Sequence, residues 1–419
     1  MTKIHPSSLP EGTEIIKVFG IRVFSPPQKE QEMKIFEVID TSTARQWLEV
    51  PSLVYKEDTN WIPHLKQDIS KVFDPKKNKF FVQGKVCRWI LKDDNNQCIG
   101  RIAAFHWKKY SSAQKQKTGG IGFFECVEDD EAARMLLSEA CEWLKAEGME
   151  AVDGPINFGE KDAYWGLLIE NFTDMGSYRM NYNPPYYRRF FENFGFNLYY
   201  EQWCYRRDMR LAVQDVFVRK NNIIMSDPDY RVGNSVGKKI EEIAEEFLIV
   251  YNNAWAGHLG FKKMDIRQAM GIMKAMKPIM DKEVMIFAYC KNKPIAFYLN
   301  IPELNEIFQH VHGNLNLWGK LVFLWRFKRR KYRTMVGVIF GVDREYHGKG
   351  IEGAMIKWTE EHVVPLDFYD QTILTWIGDF NPKMIKVVQN LGADLYRRLA
   401  TFRLFFDPEV PFERHPDIG

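Results

Sequence analysis

The sequence His347-Gly348-Lys349-Gly350 is a short loop whose residue types suit an anion. It follows an uncharged, apolar and β-branched run, residues 334–342, and precedes a run from Ile351 whose Ala354, Met355, Ile356 and Trp358 read as helical. Glycines let the backbone come close to a ligand with its N–H groups pointing outward. The start of a helix adds free N–H donors and partial positive charge. Together these groups suit a pyrophosphate. Paired glycines also serve turn geometry alone, and the loop by itself leaves both readings open.

The elements that must position this loop are legible around it. Residues 372–378 (TILTWIG) read as a buried strand, parallel to the first because a helix separates them. Asp379-Phe380-Asn381-Pro382 then opens a helix over 383–391 that Gly392 ends. Upstream, residues 230–236 predict a strand. Residues 240–255 predict an amphipathic helix, with Ile243, Phe247, Val250 and Tyr251 recurring at three and four. A hairpin follows, 284–290 with 294–301, around Lys291-Asn292-Lys293.

The first half repeats this order. It reads as a strand at 35–39, a helix at 44–55 interrupted at Pro51, a hairpin of 86–91 with 98–106, a helix at 130–147 stopped by Gly148, a strand from Ala151, and a helix ending at Phe194-Gly195-Phe196. Its loop lacks glycine and carries Glu125, Glu128, Asp129, Asp130 and Glu131. Such residues cap helices and repel polyphosphates, so this half is expected to give acceptor-binding surface or structural support. The expected fold class is mixed α/β (α+β) with two tandem domains, each a mostly antiparallel sheet flanked by helices. The divisions are an extension or linker at 1–33, a first domain at 34–210, a connector at 211–229, a second domain at 230–410 with an insertion at 302–333, and a tail at 411–419.

Composition narrows the function classes. A chain of 419 residues can bury two cores, and a net charge of +3 gives no global drive toward nucleic acid. Six scattered cysteines without a CxxC pair argue against a zinc ribbon or a disulfide framework and fit a reducing cytoplasm. The N-terminus shows no signal-peptide pattern, and no stretch is apolar for long enough to cross a bilayer. The insertion is distinctive. Residues 315–333 hold Lys320, Arg326, Lys328, Arg329, Arg330, Lys331 and Arg333, no acid, and an apolar body of Leu317, Trp318, Leu321, Val322, Leu324 and Trp325. Three readings remain open for it: peripheral contact with an anionic membrane surface, a helix packed on the second domain with a solvated basic end, and a patch for cofactor phosphates.

The loop and the 372–392 unit resemble the GNAT family of acyl-CoA-dependent N-acyltransferases. His347-Gly348-Lys349-Gly350-Ile351-Glu352 stands at the family's Arg/Gln-x-x-Gly-x-Gly/Ala loop, and Asn381 precedes Gly392 by the family's spacing. The segments Asn60-Trp61-Ile62-Pro63, Gly100-Arg101-Ile102-Ala103, Gly122-Phe123-Phe124-Glu125, Gly154-Pro155-Ile156-Asn157-Phe158, Tyr182-Asn183-Pro184-Pro185-Tyr186-Tyr187 and Pro302-Glu303-Leu304-Asn305 look together like a tandem GNAT-like group of bacterial proteins. They are similar also to bacterial ceramide synthases, which N-acylate a long-chain amino alcohol.

The resemblance implies that two splayed parallel strands hold the pantetheine arm of acyl-CoA. Gly341, Val342, His347, Gly348, Lys349, Gly350, Ile351, Gly353 and Asn381 would then form the donor site. Two positions depart from the family. Glu352 stands where a small residue is usual, with Gly353 beside it for the close approach. Val388 stands where many members carry a tyrosine that protonates the leaving thiolate.

An amine must lose a proton to attack a thioester. Asp379 is the first candidate base, with helix capping as its alternative role. His310 and His312 follow, and their HxH spacing lacks the third ligand a metal needs, so no metal is expected. A backbone N–H near Gly341 would hold the oxyanion. Asn305 and Tyr186 would orient the acceptor on the resemblance. The implied partners are acyl-CoA or an acyl-carrier protein and an amine acceptor, with a lipid amine compatible with the insertion. A non-catalytic lipid- or partner-binding protein that retains the fold is the competing class.

Overall fold

The computed structural model describes residues 32–255 and 263–417, with the backbone of a two-stranded hairpin at Glu14–Val18 and Ile21–Ser25. The expected extension at 1–33 otherwise lies outside the described residues. Thirteen strands form one sheet. In the first half they are β1 (Lys34–Glu37), β2 (Gly84–Lys92), β3 (Cys98–Trp107), β4 (Thr118–Cys126), β5 (Ala151–Gly154), β6 (Leu167–Glu170) and β7 (Asn197–Asp208). In the second half they are β8 (Tyr230–Asn234), β9 (Met285–Cys290), β10 (Lys293–Pro302), β11 (Thr334–Val342), β12 (Gln371–Gly378) and β13 (Asp394–Phe405).

The sheet order is β8-β9-β10-β11-β12-β7-β13-β5-β4-β3-β2-β1, with β6 also on β13. The pairs β4·β5 and β11·β12 are parallel and the rest antiparallel. The two halves trade their last strands. β7, from the first half, lies between β12 and β13 of the second, and β13 lies between β7 and β5 of the first. The units read as 34–210 and 230–410 are therefore one continuous sheet.

The helices are α1 (Thr41–Val54), α2 (Lys66–Val72), α3 (Lys108–Ser111), α4 (Asp130–Ala146), α5 (Tyr187–Phe194), α6 (Asp215–Met225), α7 (Ile240–Trp255), α8 (Ile266–Met276), α9 (Asn305–Phe308), α10 (Leu317–Lys328), α11 (Ile351–His362) and α12 (Pro382–Asn390). Their local causes are ordinary. Asp129 caps α4 by accepting the Ala132 N–H at 2.8 Å, and Ala133, Leu136, Leu137, Ala140 and Leu144 put one face into the core. α7 buries Ile243, Ala244, Phe247 and Val250 against Phe287, Phe297 and Leu299 of the sheet. α11 buries Ile351, Ala354 and Met355 on the opposite face, against Ile286, Ala288 and Ala296.

β7 and β13, each 12 residues long, are absent from the sequence reading. Both are central strands, yet they carry Arg207, Arg397 and Arg403, all buried. These charges break the apolar run by which a central strand is recognised, and their partners lie far away in sequence. Arg403 makes a bidentate pair with Asp153 at 2.6 and 2.8 Å, across the seam between β13 and β5. The connector holds α6, which lies against α11. The tail packs back on the body: His415 donates its N–H to Tyr199 and stacks on Phe380 at 4.3 Å.

Candidate functional site

The parallel strands β11 and β12 stay paired from Thr334·Gln371 to Gly337·Leu374 and no further. β11 continues to Val342 and β12 to Gly378, so the two form a fork. Both strands are irregular at the fork. On the β10 side Leu299 pairs with Ile339 and Asn300 with Gly337, which leaves Val338 as an extra, half-exposed residue. On the other side the register with β7 shifts between Leu374 and Ile377, and Trp376 takes φ 62°, an uncommon conformation for a bulky side chain.

A cavity of about 230 Å³ opens over the fork. Its walls come from β11, β12, α11 and α12 and are mostly apolar, among them Met335, Val338, Met355, Ile356, Met384 and Val388. The polar side chains on the wall include Arg207, Tyr298, Glu352, Glu360, Thr375 and Asn381. Tyr298 is half-buried and its phenol is pushed up to about 12 by desolvation, so it stays protonated and can donate. Arg207 is tied to the Leu391 carbonyl at the end of α12, at 2.7 Å. A narrow apolar slot between splayed strands suits an extended chain with few polar atoms.

The glycine loop lies at the start of α11. Gly348 has φ 74° and Gly350, the N-cap, φ 90°. Nothing lies within 4 Å of where a Cβ at Gly348 would sit. His347 places Nε2 3.0 Å from the Val342 carbonyl oxygen, and the Lys349 ammonium lies 4.5 Å from the Tyr346 ring. The first N–H groups of α11 have no intrahelical acceptors, by the geometry of a helix. Glu352 does not stand free beside them: Lys220 of α6 pairs with it at 2.5 Å. The loop residues and the cavity therefore fit a diphosphate joined to a slender, apolar arm.

The structure distributes the other candidates widely. Asn381 lines the cavity and caps α12, accepting the Met384 N–H at 3.2 Å, so the capping role weighed for Asp379 belongs to Asn381. Gly341 makes room for Trp255, whose ring lies 2.8 Å from where its Cβ would be. Ile351 is a core residue. Gly353 serves a helix crossing: a Cβ there would come 2.7 Å from Lys220 Cβ, so α6 takes the close approach.

None of the three residues read as catalytic lines the cavity. Asp379 pairs with Arg414 at 2.5 Å, and burial raises its carboxyl above the ordinary range despite that partner. His310 and His312 are exposed, and partial burial followed by the nearby Arg326 lowers His310. Asn305 and Tyr186 lie apart from each other. Asn305 is buried and donates to the Gly176 carbonyl at 2.7 Å, while Tyr186 donates to the Cys126 carbonyl at 3.0 Å in the first half. There the matching fork is filled. The Ile156 carbonyl sits 1.9 Å from where a Cβ on Gly122 would be, so the chain itself occupies the gap between β4 and β5.

Lys220, Val338 and Tyr298 carry no mark in a linear reading. Lys220 stands 132 residues from the glutamate it neutralises. Glu303 sits within a quoted motif, yet its burial is a tertiary fact. One oxygen accepts the N–H groups of Tyr178 and Asn305, both at 2.9 Å, and the other has no partner. Burial lifts its carboxyl to about 7. The folded protein thus prefers Glu303 protonated, and stability falls as pH rises from the ordinary range near 4.5 through 7. Glu303→Gln is expected to match the parent within about 1 kcal/mol at pH 5 and to be more stable by roughly 3 kcal/mol at pH 8.5, read by urea unfolding at both pH values. Equal stability at pH 8.5 would exclude a costly carboxylate there.

No protein-family model matches the chain. It is 24% identical over 390 residues to Protein YghO of Escherichia coli K12, covering 88% of this chain and 93% of that one. It is 22% identical over 389 residues to a bacterial ceramide synthase of Caulobacter vibrioides, covering 89% and 97%. A tandem GNAT protein from the clavulanic acid biosynthesis pathway superposes with a TM-score of 0.50 at 10% identity, over 90% of this chain and 100% of that one. A GCN5-related glucosamine N-acetyltransferase region in a fungal multi-domain β-N-acetylglucosaminidase gives 0.51 at 12% identity, over 91% of this chain. This chain covers 40% of that longer protein. The chain therefore has the tandem GNAT fold, and over most of its length it is similar in sequence to a bacterial ceramide synthase.

Proposed function

We propose that this protein is an N-acyltransferase that moves an acyl group from acyl-CoA to an amine, with a long-chain lipid amine as the acceptor class. The observation that carries the reading is the fork of β11 and β12, opening into an apolar cavity beside an open glycine loop. Acyl-CoA supplies the acyl group already activated as a thioester. Similarity to a ceramide synthase supports the lipid amine.

The chain's own residues then have distinct tasks. Gly348, Gly350 and the start of α11 hold the diphosphate, and Lys220 removes the repulsion that Glu352 would exert. The apolar wall excludes water from the arm between the strands. Val338, outside the β-ladder, offers a backbone N–H to a carbonyl oxygen at the fork, a place the sequence put nearer Gly341. Tyr298 is the phenol on the wall and supplies the proton that Val388 cannot. Asp379 follows β12 directly and remains the proposed acceptor of the amine proton, once its pair with Arg414 opens.

The test is transfer from palmitoyl-CoA to a sphingoid-type amine, followed by mass spectrometry, with a short polar amine as the comparison. Val338→Trp, which fills the fork, is expected to abolish product. Tyr298→Phe is expected to lower turnover by about tenfold to a hundredfold with donor binding intact. Product at undiminished rate from Val338→Trp would sink the fork as the site. Absence of any product with either amine would favour a protein that binds without transfer.

A further inference from the structure

α10 presents a surface that the acyl-transfer reading does not use. Leu317, Trp318, Leu321, Leu324 and Trp325 recur at spacings of one, three and four, which places them along one face of the helix. That face points outward: their exposures are 76%, 72%, 53%, 48% and 55%. The opposite side is the one that packs. Gly319 and Phe323 are buried, and Val322 and Phe327 lie half-buried against Phe308, Tyr332 and Met335. The helix is thus apolar on both faces, and its outer stripe has no covering partner among the described residues. Single exposed apolar side chains are common, whereas a stripe of five with two tryptophans marks a contact surface.

Charge selects the partner. Lys320, Lys328, Arg329 and Lys331 are exposed around the stripe and make no ion pair among the described residues. Arg330 and Arg333 are different, being held by Asp281 and by Asp367 and Asp370. Protein interfaces are depleted in lysine, whereas tryptophan and leucine ringed by lysine and arginine suit the boundary of an anionic bilayer. With 12 residues, α10 is too short to span a bilayer and long enough to lie along its surface.

We infer that α10 docks this protein on an anionic lipid bilayer, with its tryptophan stripe in the headgroup layer. This inference stands on α10 alone and also deepens the proposed reaction. Met335 and Val364 belong both to the cluster beneath α10 and to the cavity wall. The packed cluster beneath α10 thus continues into the cavity wall, on the side of the molecule that would face the bilayer.

Flotation of the full chain with phosphatidylcholine vesicles, with and without about one-third phosphatidylglycerol, tests the inference. Binding to the anionic vesicles and little to the neutral ones is expected. Trp318→Ser with Trp325→Ser, and separately Lys328→Glu with Arg329→Glu and Lys331→Glu, should each weaken binding by about tenfold or more. All these side chains are exposed, so both variants should keep the parent's circular dichroism and its titration with CoA. Failure of the parent to float, or unchanged flotation of both variants, overturns the inference. So does loss in the charge variant alone, because that would mean adsorption without insertion. The CoA titration keeps this result separate from the acyl-transfer reading.

Discussion

Asp153→Ala is expected to destabilise the protein by about 3–5 kcal/mol, because it leaves the Arg403 guanidinium buried without its carboxylate. Asp153 is fully buried and Arg403 is 5% exposed. Two parallel hydrogen bonds join them, Tyr110 donates to the same carboxylate, and Arg403 also reaches Gln114 at 3.0 Å and stacks on Tyr199. The loss therefore comes mostly from stranding a charge in a site shaped around it. The two partners stand 250 residues apart and join the halves at the seam of the sheet. Asp153→Leu combined with Arg403→Met should recover part of the stability, since the apolar pair removes the stranded charge while Tyr110 loses its acceptor. Urea unfolding of the single and double variants decides the matter. A single variant within 1 kcal/mol of the parent would show that water reaches the guanidinium.

Gly348→Asp is expected to weaken CoA binding by about a hundredfold or more, while Gly348→Asn weakens it by less than about tenfold. Gly348 has φ 74° and open space around it, and asparagine and aspartate both tolerate that conformation better than other side chains. The two variants therefore differ chiefly in charge. A carboxylate about 5 Å from a diphosphate charge, at an effective dielectric near 20, costs about 3 kcal/mol, which corresponds to more than a hundredfold in affinity. Gly350 is a poorer position for this test, because a side chain there would meet the stem of Lys220 at 3.1 Å. Calorimetric titration with CoA reads the effect. Equal binding by the two variants would move the diphosphate away from the loop.

Much of the fold was legible because its signals are local. The helix at 240–255 shows its buried face in the spacing of Ile243, Phe247 and Val250, and the hairpin of β9 and β10 shows its turn at Lys291-Asn292. The strand, glycine loop and helix from 334 onward read correctly for the same reason. Long-range facts were hidden. Arg397, Arg403 and Arg207 gave β7 and β13 the look of surface segments. Only the traded pairing explains their burial, through Asp153 and through carbonyls of residues 174 and 391. The glycine loop was legible as a turn between strand and helix. The irregular fork was not, since Val338 and Trp376 owe their roles to a slip in register against neighbours on either side. Glu352 looked like an obstacle until the fold brought Lys220 to it.

The traded strands also decide what the first half is for. Its own fork is plugged by Ile156, so it offers no second slot, yet β7 flanks the strand that carries the open fork. Without that flank β12 would become a free edge, with nothing on its far side to oppose the divergence from β11. The first copy acts as a brace: its last strand pairs with β12 on both sides of the register shift, and neither copy holds in its own stretch of chain all the strands that complete its sheet.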